Sequence, residues 1–212
     1  VQIVRLNPLE AWPHLLLGQS HMYQGNVEEA SREIELAIGL EPTNSAGYLA
    51  RGELLSSQMD FEKAIQDYSA VLEVDQNNIE AMRGLGIAYQ KMGEVDQAEK
   101  VYLMASEIDE TSIFAKIKLA EIYREQGRID EAISLEEAAY ALSPDSDLAV
   151  TKLAQTYRLQ GRIEEAKTLY EQVISKETDK VYAYAALAQL MAEEENDQYK
   201  LYALFSKLVQ EN

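Results

Sequence analysis

Two histidines, one glycine-rich tripeptide and one acidic cluster carry the residue types in this sequence that most readily do chemistry. His14 and His21 are the only histidines. They stand seven positions apart, roughly 10 Å along a helix axis, too far to share one metal ion. No Ser or Cys nucleophile motif accompanies either ring. Gly84-Leu85-Gly86 has the start of a phosphate-binding loop but lacks the third glycine and the preceding strand. The run from Glu193 to Asp197 has neither EF-hand spacing nor a glycine at its turn, which points to a solvated loop. HExxH, Walker and GxSxG patterns are absent. The expectation is a chain with no catalytic residues, no metal ligands and no cofactor, and therefore not an enzyme.

Composition narrows the partners. The chain has 212 residues, 47% of them hydrophobic and 26% charged, with only four prolines, an ordinary globular balance rich in helix formers. It contains no apolar run of eighteen residues, so no direct membrane insertion is expected. Cysteine is absent, which removes disulfides, zinc ribbons and thiol catalysis from this segment. A formal net charge of −18 argues against nucleic acid and anionic lipid, both of which need a basic surface. The compartment is not fixed: cytoplasmic is the default, with a periplasmic or membrane-tethered full-length form left open.

The elements that position any site come from a repeat. Residues 79–112 read as two short amphipathic helices joined at Gly93. Shifted by 34 residues, the chain matches itself. Gly86 falls on Gly52 and Gly18 going backward and on Ala120, Ala154 and Ala188 going forward, while Ala98 falls on Ala30, Ala64, Ala132 and Ala166. Small residues at these slots let two antiparallel helices approach closely, with Leu85, Tyr89 and Tyr102 packed around them. One pair cannot bury its own apolar faces, so pairs come in series.

This pattern resembles the tetratricopeptide repeat family over nearly the whole chain. Met82, Leu85, Gly86, Tyr89, Ala98 and Tyr102 occupy the family's positions in the third unit, and Val150, Leu153, Ala154, Tyr157, Ala166 and Tyr170 in the fifth. The closing proline is kept at Pro42 and Pro144, and most departures lie in the aromatic and proline slots. His14 and His21 stand in aromatic slots, which favours packing over chemistry. The resemblance implies an all-α fold, a right-handed α-solenoid of stacked antiparallel helix pairs. The expected organisation is the end of a preceding repeat's second helix at 1–10, repeats at 11–44, 45–78, 79–112, 113–146 and 147–180, and an atypical C-terminal cap at 181–212, all in one continuous solenoid. In the last unit Lys200 takes the alanine slot, so 197–210 reads as a shifted capping helix. The opening segment suggests a piece of a longer array, with a purpose-built N-terminal cap as the alternative.

The resemblance also implies that the first helices line a concave groove. Summed over five units, the second helices carry a formal charge of −12 and the first helices +2, so the acidity belongs to the outer layer. The residues six and three before the small slot, and one and four after it, share the groove face. They supply a candidate partner-binding set of Arg83, Ile87, Phe114, Ile117, Glu121, Arg124, Leu148, Gln155, Arg158, Tyr182 and Gln189, with Lys118 and Lys152 alongside. A second, apolar patch is Trp12, Leu15 and Met22, of which Trp12 and Leu15 could equally contact a preceding repeat. Arginines beside apolar pockets suit a protein or peptide segment with acidic or C-terminal carboxylate groups. The alternative is that the arginines pair with Glu80 and Glu121 and bind nothing. No Lys and Asn set matches the clamp that some family members use for chaperone C-termini. The leading expectation is a non-enzymatic interaction scaffold. The others are a regulatory or substrate-recruiting region of a longer enzyme or of a secretion or polysaccharide-export apparatus, and self-association through exposed ends.

Overall fold

The computed structural model describes residues 9–175 and 181–194. The expectations for 1–8 and for the capping helix at 197–210 lie outside these residues. Among the described residues every regular element is an α-helix, eleven in all. The chain divides into two compact units, Val1–Glu110 and Thr111–Asn212. Unit one holds three antiparallel pairs: α1 (Ala11–Tyr23) with α2 (Val27–Leu40), α3 (Ser45–Ser57) with α4 (Phe61–Val74), and α5 (Ile79–Met92) with α6 (Val95–Ile108). Unit two holds α7 (Ile113–Glu125) with α8 (Ile129–Leu142), α9 (Asp147–Leu159) with α10 (Ile163–Ile174), and α11 (Val181–Glu194).

Helix boundaries follow local chemistry. The side chains of Asn44, Asn78, Ser112 and Ser146 accept backbone N–H groups at the starts of α3, α5, α7 and α9, satisfying donors that have no partner within the helix. The second helices α2, α8 and α10 instead carry two acids each in their first turns, where the helix dipole favours negative charge. Between the helices of a pair the chain passes through one left-handed residue. Gly25, Gly93, Gly127 and Gly161 supply it with φ between 74° and 80°, and Met59 takes the same role at φ 63°. At Gly93 the turn is locked by its own N–H to Gln90 O and by Glu94 N–H to Tyr89 O at 2.9 Å.

Within a pair, the small slot of the first helix lies against a ring of the second. A Cβ added to Gly52 would sit 2.8 Å from Tyr68 Cε1, and one added to Gly86 would sit 2.4 Å from Tyr102 Cε1. Both tyrosines are buried, and their hydroxyls reach Ser56 and Gln90 on the facing helix. In the first pair Ile34 takes the ring's place against Gly18. Second helices also pack on the next first helix, α2 on α3, α4 on α5, α8 on α9 and α10 on α11. First helices touch one another as well: α1 with α3, α3 with α5, and α7 with α9. Each unit therefore presents a run of first helices side by side.

Two substitutions separate these effects. Gly86→Ala drives a Cβ into the buried Tyr102 ring and is expected to cost about 1–3 kcal/mol. Met59→Gly relieves a left-handed non-glycine residue that buries little of its side chain, and is expected to stabilise by about 0.5–1 kcal/mol. Urea midpoints of the two variants against the native chain measure both.

Candidate functional site

The first-helix faces line a cleft in each unit. In unit one a cleft of about 500 Å³ is bounded by Gln19, Met22, Glu53, Ser56, Arg83 and Ile87, with Tyr68 and Gly84 at its floor. Gly84 lets α5 lie close against the Tyr68 ring, which a Cβ there would meet at 2.4 Å. Glu53 is half-buried at the wall. Burial pushes its carboxyl above the usual range, nearby Glu80 adds to that, and Arg83 pulls against it.

In unit two a smaller cleft of about 170 Å³ is lined by Arg124, Gln155, Arg158, Leu159, Tyr170, Ala186 and Gln189. Its polar walls are donor-rich, with two guanidinium groups and two amides, which suits a carboxylate. Arg124 is partly engaged already: its Nη1 donates to Thr156 Oγ1 at 3.2 Å and stands 3.7 Å from Glu136 Oε1. Glu136 is fully buried, and neither of its carboxylate oxygens has a hydrogen bond. Burial pushes its pKa up to about 7, against opposing pulls from Thr156, Arg124 and Lys152 and a further push from Glu121.

The residues singled out from sequence separate into five environments. Met22, Arg83 and Ile87 meet in the first cleft, and Arg124, Gln155, Arg158 and Gln189 meet in the second. Lys118 and Lys152 do not stand open: each binds one oxygen of Glu121 at 2.7 Å, and these bonds outweigh burial and hold Glu121 below the usual carboxylate range. Lys118 also lies 5.9 Å from the centroid of the half-buried Phe114 ring. Ile117 is a correction to the groove set. It is buried with Ala139 and Ala149, because an isoleucine at this register gains more from the core than from the face, whereas Arg83 at the same register stays exposed. Leu148 is 52% exposed and Trp12 48%, while Leu15 packs against the core of the first two pairs. The side chain of Tyr182 lies outside the described residues.

His14 is buried, with Nδ1 2.6 Å from Glu33 Oε2, and His21 contacts the Asn26 amide. Among the described residues no group of three potential ligands is placed to hold a metal. Sequence reasoning missed Glu136, Tyr170 and Leu159 as parts of the second site. The signal for Glu136 was in the period: its 34-residue equivalents are Tyr68, Tyr102 and Tyr170, so a carboxylate there breaks the pattern.

Comparison with known proteins agrees with this architecture. Tetratricopeptide repeat models match residues 15–79, 55–122 and 123–190. The chain belongs to the tetratricopeptide repeat family. Its fold is similar to that of PilW, described as a widely conserved type IV pilus biogenesis factor, with 19% identity, 93% of this chain and 91% of that chain covered, and a TM-score of 0.80. It is also similar to pilF of Pseudomonas aeruginosa, at 15% identity, 94% and 90% coverage and a TM-score of 0.79. A third similar structure is YrrB, described as having an unusual peptide-binding site, at 19% identity, 87% and 95% coverage and a TM-score of 0.64. At these identities the likeness is one of fold. No curated protein matches the chain by sequence.

Glu136 has a measurable consequence for stability. Its carboxyl keeps its proton to higher pH in the folded chain than in the unfolded one, where the ordinary value is near 4.5. Its contribution is therefore full below about pH 4.5 and declines as pH rises through about 7. Glu136→Gln is expected to stabilise the chain by about 1–2 kcal/mol at pH 8 and by little at pH 5, as read from urea midpoints at the two pH values.

Proposed function

We propose that this chain is a non-enzymatic scaffold that binds protein segments on the first-helix faces of its units. The unit-one cleft takes an apolar side chain, and the unit-two cleft takes a carboxylate, either an acidic side chain or a chain terminus. The observation that carries the reading is a common register. Gln19, Met22, Glu53, Ser56 and Ile87 in one cleft, and Arg124, Gln155, Arg158 and Gln189 in the other, all stand one or four residues after the small slot. Within each unit a repeated register turns these side chains to one side, which is how stacked helix pairs build a binding face. Arg158 provides the fork that a carboxylate accepts, and Tyr170 and Leu159 provide apolar contact beside it.

A second reading makes the chain the recruiting region of a pilus-biogenesis or secretion apparatus. The fold likeness to PilW and pilF, which spans more than nine-tenths of the chain, favours it. Fractionation of cells separates the two: a chain sedimenting with a membrane-bound assembly supports the second reading, and one recovered free of any assembly counts against it.

The binding reading is tested with peptide libraries displayed with free C termini and with amidated ones. Enrichment of free-terminus or acidic sequences is expected, with about 10-fold or greater loss in Arg158→Glu, whose helical content should be unchanged. Peptides that bind the native chain and Arg158→Glu alike would contradict the carboxylate assignment.

A further inference from the structure

We propose that the unit-two cleft takes up its carboxylate ligand together with a proton, and that Glu136 holds that proton. The inference rests on the carboxylate reading of this cleft. Arg124 stands between two claimants. One side of it lines the cleft beside Arg158, and its Nη1 lies 3.7 Å from the fully buried Glu136 Oε1. A ligand carboxylate in the cleft and an ionised Glu136 therefore compete for a single guanidinium charge.

The other groups that act on Glu136 do not relieve the competition. From α7, Glu121 adds negative charge, and Lys118 is bound to Glu121. From α9, Lys152 is bound to Glu121 at 2.7 Å, so its charge is largely spent there. The Thr156 hydroxyl pulls against the rise at Glu136, but it accepts from Arg124 and its one proton is donated to the Lys152 carbonyl at 3.2 Å. Tyr170 from α10 and Gln189 from α11 line the cleft itself. Glu136 has no hydrogen bond to compensate its burial, so the arrival of another negative charge at Arg124 favours its neutral form. Near neutral pH the carboxyl is divided between its two forms, which is the condition for a ligand to shift it.

Linkage makes the effect reciprocal: if ligand binding favours the proton, the proton favours the ligand. Affinity is expected to fall about 3- to 10-fold between pH 6 and pH 8, with no step in the ligand's own ionisation.

The test uses the full chain and N-acetylglycine, the smallest mimic of a chain terminus, which stays ionised over that range. The carboxyl carbon of Glu136 and the side-chain nitrogens of Arg124 and Arg158 are followed by NMR between pH 5 and pH 9, with and without the probe. Binding should shift both arginines, raise the Glu136 midpoint and be tighter at pH 6. In Glu136→Gln the affinity should be the same at pH 6 and pH 8. Probe binding with an unmoved Glu136 midpoint, or a pH dependence that survives in Glu136→Gln, would overturn the proton coupling and leave the carboxylate site standing. No shift of either arginine at any pH would overturn the carboxylate reading and this inference together.

Discussion

The contact on which the rest depends is a glycine pressed against a tyrosine ring. Gly52 on Tyr68 and Gly86 on Tyr102 leave no room for a methyl group, so these helix pairs lock at one register. That register then fixes which residues of the first helix point inward and which point away. The side chains one and four positions beyond the small slot have no place in the pair, and they become the walls of the clefts. Packing and site are thus two consequences of one spacing. The left-handed residue between the helices serves the same end by returning the chain antiparallel within two or three residues.

In unit two the equivalent pairs by register are Ala154 with Tyr170 and Ala120 with Glu136. A carboxylate fills a slot that holds a ring in α4, α6 and α10 and an isoleucine in α2, and it brings neither a hydrogen bond nor exposure to water. Natural cores rarely keep such a group, since a well-packed apolar residue of similar size is usually at least as stabilising. Its presence ties the core of this pair to Arg124 and so to the cleft, while the Lys118–Glu121–Lys152 cluster forms a closed set of charges next to it. Unit one has no counterpart at that slot. Its unusual acid, Glu53, stands in the cleft wall instead.

Much of this was legible in the sequence because the governing signal is periodic. Gly18, Gly52 and Gly86 recur at a fixed interval, which puts Met22, Ile87, Arg124 and Arg158 on one helix face, and the family resemblance assigns that face to the groove. What was not legible depends on competition among neighbours. Ile117 and Arg83 share a register, yet one is buried and the other exposed, because side-chain chemistry decides between core and surface at a borderline position. Lys118 and Glu121 stand three residues apart on α7, a pair the sequence already offers, but only the fold brings Lys152 to the same carboxylate. Glu136 was visible as a break in the period, but its meaning required knowing that it is buried beside Arg124 with no hydrogen bond to either oxygen.

The central claim is that partners meet the first-helix faces and leave the acidic second helices alone. A backbone amide NMR map of the full chain, titrated with its best-binding peptide, tests this most directly. The account predicts that shifts concentrate at Gln19, Met22, Ile87, Gln155, Arg158 and Gln189, with α2, α4, α8 and α10 little changed on their exposed sides. Shifts confined to the exposed acids of those second helices, such as Glu28, Glu62, Glu131 and Glu164, would contradict it.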